Sequence, residues 1–91
     1  MKPWYVYILQ CQDGSLYTGV TIDVERRLHE HNFDNRLAAK YTRARRPVEL
    51  IYQVSFNSRS AACRHEHEIK TMKKRQKLHL IAAHASAELS N

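Results

Sequence analysis

The first 20 residues of the chain carry the pattern of an antiparallel β-hairpin. Aromatic and β-branched side chains alternate from Pro3 to Gln10, as expected for a strand. Asp13-Gly14 is a dipeptide that favours a tight turn, and Ser15 to Val20 again has the composition of a strand. The chain is therefore predicted to begin with two paired strands.

A helix is predicted to follow this hairpin. Asp23 is suited to cap its first turn, and the helical pattern runs to about Asn32. One face of this helix is predicted to carry Val24, Leu28 and His31, with Arg27 at its border. The stretch from Phe33 to Arg46 shows no periodicity, so we expect a long loop there.

A third strand and two further helices complete the predicted order. Val48 to Phe56 follows Pro47 with β-branched and aromatic residues and is predicted to be the strand. The helices are predicted from about Ser58 to about Met72 and from about Lys74 to Ala85. The last helix is predicted to place Leu78, Ile81 and Ala82 against the sheet and to leave Lys77 and its neighbours exposed.

The predicted fold class is α+β, with a three-stranded antiparallel sheet flanked by helices in the order β-β-α-β-α-α. A chain of 91 residues is the size of one domain, which we expect to span residues 1–85. Residues 86–91 are predicted to form a disordered tail.

The charge of the chain favours an anionic partner. Lys and Arg outnumber Asp and Glu by 15 to 9, which gives a formal charge of +6 and an isoelectric point of about 9.6. Many small proteins are basic for no specific reason, but here the charge is clustered, which favours nucleic acid. The first basic cluster comprises Arg36, Lys40, Arg43, Arg45 and Arg46, and the second comprises Lys70, Lys73, Lys74, Arg75 and Lys77.

Cysteine and histidine usage argues against disulfides and structural zinc. Cys11 and Cys63 have no framework spacing, so we expect reduced thiols and a cytoplasmic location. His65 and His67 lie two residues apart, on different sides of a helix, which is a poor zinc pair. The apolar run from Trp4 to Leu9 is too short to span a membrane, so no membrane partner is expected.

Glu66 stands out as a carboxylate on an apolar helix face. Ala62 and Ile69 define an inward stripe of the predicted helix, and Glu66 lies four residues after the first and three before the second. A buried carboxylate must be paired, neutralised or bound to a metal, because an uncompensated charge is very costly there. From the residues alone, a salt bridge to Arg27 is the favoured explanation.

Several of these residues together resemble the GIY-YIG family of nucleases. Tyr5-Val6-Tyr7 lies on the first predicted strand and Tyr17-Thr18-Gly19 on the second, ten residues later. Arg27 and His31 follow on the first helix, and Glu66 matches the acid on the later helix. No single element is specific, but their order is.

The chain departs from the family pattern at three positions and most resembles one subgroup of the family. Tyr5, Val6 and Thr18 replace the usual residues of the two triplets, while Tyr7 and Tyr17 are retained. Ala39-Lys40-Tyr41-Thr42-Arg43 and Lys74-Arg75-Gln76-Lys77 resemble the small stand-alone bacterial members, which include YhbQ-like proteins.

The resemblance implies metal-dependent hydrolysis of phosphodiester bonds. It assigns a divalent metal, with magnesium favoured, to Glu66 and the phosphate to Arg27. Tyr7 would be the general base, assisted by His31, Tyr17 and Arg27, because a free tyrosine has a pKa of about 10. All five polar ends are expected to line one concavity open to solvent.

The expected partner is nucleic acid, with DNA favoured over RNA, and no obligate protein partner is expected. Two alternatives are a nucleic-acid-binding module without catalysis and a protein-interaction domain for an acidic partner. The residues predicted to bind nucleic acid are Lys40, Tyr41, Thr42, Arg43, Arg45, Arg46, Lys70, Lys73, Lys74, Arg75 and Lys77.

Overall fold

The computed structural model of the protein describes residues 2–89. In chain order these residues form β1 (Trp4–Gln10), β2 (Leu16–Thr21), α1 (Val24–Phe33), α2 (Lys40–Arg43), β3 (Glu49–Phe56), α3 (Arg59–Lys70) and α4 (Lys74–Leu89). Within the described range, no helix combines the length and the apolar character needed to cross a membrane.

The three strands form one antiparallel sheet with β1 in the centre. The strand order is β2-β1-β3, and Tyr7 of β1 lies opposite Gly19 of β2 and opposite Gln53 of β3. The register of β1 with β3 shifts between Ile8 and Leu9. The predicted α+β fold with a three-stranded antiparallel sheet is therefore confirmed.

The two faces of the sheet are covered by different helices. Successive side chains of a strand point to opposite faces, so Val6 and Ile8 lie on one side and Tyr7 and Leu9 on the other. The first side packs against α3 and α4 through Ala62, Ile69, Leu80 and Ile81. The second side packs against α1 through Leu28, together with Cys11, Tyr17, Val48 and Leu50.

Local signals in the sequence place the hairpin turn and two helix starts. Gly14 has φ 84°, a backbone conformation that favours glycine, and its N–H donates to the Cys11 carbonyl at 2.9 Å. Asp23 caps α1 by accepting from the Arg26 N–H, and Ser58 caps α3 by accepting from the Ala61 N–H. These three positions agree with the sequence.

The stretch predicted as a long loop contains a short helix. Asp34 Oδ1 accepts from the backbone N–H groups of Arg36 and Leu37, each at 2.8 Å, and forms a turn directly after α1. The four-residue helix α2 follows at Lys40. A single helical turn is too short to show an apolar repeat, so periodicity could not reveal it.

Helix α4 is longer than predicted, and it turns a different side towards the sheet. Leu80 and Ile81 pack on the sheet, whereas Leu78 is 44% exposed and Ala82 is also exposed. Lys77 is half-buried, contrary to its predicted exposure. The helix continues to Leu89 instead of ending at Ala85, so residues 86–89 of the predicted tail are helical, and residues 90 and 91 lie outside the described range.

The rotation of α4 has a tertiary cause. The ring of His84 packs against the ring of Tyr52 in β3, with their centroids 4.9 Å apart. Positions 77, 80, 81 and 84 then form the stripe that faces the sheet, with helical spacing. Because this stripe contains the polar residue His84, the pattern of apolar residues alone did not predict it.

Candidate active site

A concavity of 260 Å³ brings together residues of β1, β2, α1 and α3. Its lining consists of Trp4, Tyr7, Tyr17, Gly19, Val20, Arg27, Arg59, Cys63 and Glu66. Four of the five predicted catalytic residues share it, namely Tyr7, Tyr17, Arg27 and Glu66. The fifth, His31, is completely buried behind Tyr7, so the prediction that all five line one concavity is wrong for His31.

Gly19 makes room for Tyr7. The two residues are paired across β1 and β2, and a Cβ atom on Gly19 would overlap the Tyr7 hydroxyl and the adjoining ring carbon. Gly19 does not have a positive φ, so the close approach of the Tyr7 side chain is what requires glycine here.

Glu66 reaches this concavity from the opposite face of the sheet. Helix α3 packs on the face that carries Val6, whereas the Tyr7 ring lies on the face covered by α1. Strand β2 is at the edge of the sheet, and Gly19 adds no side chain to the concavity. The carboxylate and the tyrosine can therefore line the same opening although their elements lie on different faces.

Tyr7 is held from behind by His31. Tyr7 Oη and His31 Nε2 are 2.8 Å apart, a buried hydrogen bond between β1 and α1. The ring of His31 also meets the ring of Tyr17 edge-on, with centroids 5.2 Å apart. These contacts fix the orientation of both tyrosines.

The second nitrogen of His31 contacts Thr42 of α2. Nδ1 lies 2.7 Å from Thr42 Oγ1, and that hydroxyl donates to the Ala39 carbonyl at 3.0 Å. Thr42 is completely buried, so its predicted contact with nucleic acid is wrong. Its neighbour Tyr41 is 37% exposed and remains on the surface.

The charged groups of the concavity are not paired as expected. Arg27 Nη1 donates to Glu30 Oε1 at 2.9 Å and to the Leu37 carbonyl at 2.7 Å. Glu66 Oε2 lies 3.2 Å from Lys70 Nζ, one helical turn away. The predicted salt bridge between Arg27 and Glu66 is therefore replaced by two pairs within the helices.

Burial keeps both members of the Tyr7–His31 pair neutral. Burial, and next the nearby Tyr17, raise the pKa of Tyr7 to about 12, although Arg27 opposes this rise. Burial, and next the positive charge of Arg27, lower the pKa of His31 to about 4. At neutral pH a tyrosine hydroxyl thus faces an uncharged imidazole.

Glu66 is the only carboxylate lining this concavity among the described residues. Within residues 2–89, no three His, Cys, Asp or Glu side chains are grouped so that they could hold a metal ion together. Magnesium usually takes one or two carboxylates and completes its shell with water and substrate phosphate. The half-buried Glu66 fits that requirement, because its side chain is 23% exposed and lies beside open space.

The sequence did not point to Trp4, Arg59 and Cys63, which also line the concavity. The guanidinium carbon of Arg59 lies 5.5 Å from the centroid of the Trp4 ring. Positions 59, 63 and 66 are spaced four and three apart, which puts them on one side of α3. Their helical spacing from Glu66 is the sequence signal that could have identified Arg59 and Cys63.

The first basic cluster is partly structural. The Arg46 guanidinium donates to the His31 carbonyl at 2.7 Å and to the Asp34 carbonyl at 3.0 Å, at the end of α1. Arg43 donates to the Asn35 carbonyl at 2.6 Å. These two arginines were predicted to bind nucleic acid. In the structure they hold the segment between α1 and β3 in place.

A stack of side chains connects the first cluster to the site. The Tyr41 ring stacks on the Tyr17 ring with an interplanar angle of 26°, and the guanidinium of Arg45 lies 3.9 Å from the Tyr41 centroid. Arg45 also pairs with Asp13 at 3.1 Å. Arg45 is thereby connected to Tyr17 through the Tyr41 ring.

The second basic cluster follows the end of α3 and the start of α4. Lys70 forms an ion pair with Glu66, and Lys74 Nζ donates to the Gly14 carbonyl at 2.9 Å. Lys77 is half-buried, whereas Lys73 and Arg75 are exposed. Lys73 and Arg75 are thus the members of this cluster most accessible to a partner.

A larger concavity of 540 Å³ is lined by Tyr5, Ile22, Asp23, Val24, Glu25, Gln53, Val54, Ser55 and Glu88. It contains three carboxylates and no basic side chain, so it would repel a phosphate. Size therefore does not identify the site, and the smaller concavity at Glu66 is the candidate.

The GIY-YIG catalytic domain matches residues 3–79, a range that includes every side chain lining this concavity. The chain belongs to the GIY-YIG family. Members of this family are nucleases, so membership implies that the substrate is a nucleic acid.

Relatives of similar length support the assignment to the small single-domain members. The UPF0213 protein of Staphylococcus saprophyticus is 50% identical over 82 residues, which are 90% of this chain and 98% of the relative. The UPF0213 protein of Haloquadratum walsbyi is 57% identical over 76 residues, covering 81% of this chain and 83% of the relative.

Two solution NMR structures show the same fold. A protein from E. faecalis is 43% identical with a TM-score of 0.62, and the match covers 93% of this chain and 90% of that one. The UPF0213 protein of Bacillus halodurans is 44% identical with a TM-score of 0.58, covering 89% and 84%. These names state no activity.

Proposed function

We propose that this GIY-YIG protein is a metal-dependent endonuclease that hydrolyses phosphodiester bonds of DNA. The observation that carries the proposal is the shared concavity of Tyr7, Tyr17, Arg27 and Glu66. It combines a carboxylate, a cation and two hydroxyl groups at an opening that a phosphate can enter. Membership of a nuclease family supports it.

Arg27 and Arg59 bind the substrate phosphate in this proposal. Both line the concavity, and Arg27 already has one guanidinium nitrogen fixed by Glu30 and Leu37. Arg59 contacts the Trp4 ring, and no ion pair engages it among the described residues. The two guanidinium groups offset the charge that builds up on the phosphate during hydrolysis.

Glu66 would hold the metal, with magnesium favoured. When bound, the ion lowers the pKa of a coordinated water and neutralises charge on the phosphate. A metal at this carboxylate would take the place of Lys70, whose Nζ lies 3.2 Å from Glu66 Oε2. Replacing one partner by another keeps the carboxylate compensated throughout.

Tyr7 moves the proton of the attacking water. Ionising Tyr7 at pH 7 against a pKa of about 12 costs about 7 kcal/mol, whereas protonating His31 against a pKa of about 4 costs about 4 kcal/mol. The smaller cost favours a relay in which Tyr7 accepts the water proton as its own proton passes to His31 Nε2, 2.8 Å away. Tyr7 then never carries a full negative charge.

A non-catalytic DNA-binding module is the second candidate. The observation that favours it is the resting state of the site, in which Tyr7 is protonated and Glu66 is paired with Lys70. Such a protein would use the same basic surface and show salt-dependent binding without turnover.

The substitution Glu66→Gln separates these two functions. In an endonuclease it abolishes magnesium-dependent cleavage and leaves DNA affinity equal or higher, because a negative charge near phosphate is removed. The matched control is Glu68→Gln, an exposed position on the same helix, which should cleave like the wild type. Cleavage that persists unchanged in Glu66→Gln would refute the assignment of the metal to this residue.

A further inference from the structure

The hydrogen bonds behind Tyr7 define which nitrogen of His31 carries its proton. The Thr42 hydroxyl has a single hydrogen, and it is donated to the Ala39 carbonyl at 3.0 Å. The same oxygen lies 2.7 Å from His31 Nδ1, so in that contact Thr42 must accept. Nδ1 is therefore the nitrogen that carries the hydrogen.

The rest of the chain follows from this assignment. A neutral imidazole has one N–H, so Nε2 is left as an acceptor and the Tyr7 hydroxyl, 2.8 Å away, donates to it. The Ala39 N–H also points to Nδ1 and could donate to it only in the opposite tautomer, but at 3.5 Å, the outer limit for a hydrogen bond, it opposes the assignment only weakly.

The opposite tautomer has unfavourable consequences. If Nε2 carried the hydrogen, it would donate to Tyr7, and the hydroxyl proton of Tyr7 would have to point elsewhere. Thr42 would then turn its hydrogen to Nδ1 and leave the Ala39 carbonyl without this bond. The Ala39 carbonyl would then keep the Arg43 N–H, 3.0 Å away, but the bond from Thr42, which is 0% exposed, would be lost.

We propose that Thr42 is a positioning residue whose buried hydroxyl holds His31 as the Nδ1–H tautomer and thereby directs the Tyr7 proton away from the concavity. The lone pairs of Tyr7 Oη are then available to a water molecule on the open side. The consequence for catalysis rests on the proposed endonuclease function, whereas the tautomer is a property of the protein alone. Nothing in the apolar pattern of the sequence gives Thr42 this role.

The tautomer can be read directly from nitrogen chemical shifts of His31 in a proton–nitrogen correlation spectrum at neutral pH. The wild type and Thr42→Ser, which keeps the hydroxyl, should both show protonated Nδ1. Thr42→Val, which removes the hydroxyl at similar volume, should shift His31 towards the Nε2–H form. A wild type in the Nε2–H form, or an unchanged tautomer in Thr42→Val, overturns the proposal.

Tyr7→Phe provides a second variant that does not depend on how Thr42→Val folds. It removes the hydrogen bond at Nε2 and leaves the Thr42 contact intact, so His31 should keep its proton on Nδ1. A switch to Nε2–H in Tyr7→Phe would show that Tyr7, and not Thr42, sets the tautomer.

Kinetics separate this inference from the endonuclease proposal. With the wild-type enzyme as reference, Thr42→Val should lower kcat by at least about 10-fold with KM little changed, and Thr42→Ser should stay within about threefold. Equal cleavage by Thr42→Val contradicts the positioning role. A tautomer that responds as expected in a protein without cleavage supports that role and contradicts the endonuclease.

Discussion

Tyr7 lies at the centre of the site, and most of its surroundings in the free protein keep it protonated. It is buried on β1, contacts the backbone of Gly19, and shares its hydroxyl with His31. The sequence singled out Tyr7 and Gly19 because both belong to short motifs, and the structure pairs them across β1 and β2. It could not show that His31 is buried and therefore uncharged, because its burial depends on packing against Tyr7 and Thr42, which are 24 and 11 residues away in the chain.

The first residue-scale prediction concerns His31 and acid. The unfolded chain binds a proton on this histidine near pH 6.5, while the folded protein does so only near pH 4. Unfolding therefore takes up a proton between these values, and stability falls by up to about 3 kcal/mol as the pH decreases through this window. Arg27 and Arg46 oppose the charged ring, and Glu30 favours it.

Urea unfolding at several pH values between 7 and 4 measures this effect. His31→Gln removes the titrating group, so its stability should depend less steeply on pH than that of the wild type. Parallel pH profiles for the two proteins would show that His31 does not titrate as its burial predicts.

The second residue-scale prediction concerns Gly19→Ala. The new Cβ overlaps the Tyr7 ring and hydroxyl, so we expect a loss of about 1–3 kcal/mol in the free energy of unfolding. Ser60→Ala, at an exposed position of α3, is the control and should change stability by less than about 0.5 kcal/mol. An equally small effect of Gly19→Ala would mean that Tyr7 can move aside freely.

At the scale of elements, the segments with local signals were predicted well and those fixed by distant contacts were not. The hairpin follows from Asp13-Gly14, and the starts of α1 and α3 follow from Asp23 and Ser58, whose side chains cap the next turn. Helix α2 and the rotation of α4 depend on contacts with His31 and Tyr52, which no local pattern records.

The element-scale prediction distinguishes structural from binding arginines. Arg46 satisfies two carbonyls at the end of α1, so Arg46→Gln should lower the free energy of unfolding by about 1–3 kcal/mol. Lys40→Gln, at an exposed position of α2, should leave stability nearly unchanged. Thermal unfolding of both variants measures the difference, and equal midpoints would show that the Arg46 contacts contribute nothing.

At the scale of the whole molecule, one basic side chain of each cluster is connected to the same opening. The stack of Arg45, Tyr41 and Tyr17 leads from the first basic cluster towards the site, and Lys70 of the second cluster is paired with Glu66. Charge counted along the sequence predicted an anionic partner. Only the fold shows which basic side chains remain accessible to it.

The whole-molecule prediction concerns binding of DNA. Neutralising Lys40, Lys73 and Arg75 together should weaken binding across sequences and reduce the slope of log affinity against log salt by about one for each lost phosphate contact. Stability should change little, because all three are exposed. A slope that stays at the wild-type value would place the DNA-binding surface elsewhere.

Metal-dependent cleavage at the concavity that contains Tyr7 and Glu66 can be measured directly in a cleavage assay of the wild-type protein. Branched, single-stranded and duplex DNA are each incubated with magnesium and, separately, with a chelator. We expect at least one substrate to be cut with magnesium, the chelator to stop the cutting, and Glu66→Gln not to cut it. Salt-sensitive binding of all three substrates with no cleavage under either condition would contradict it.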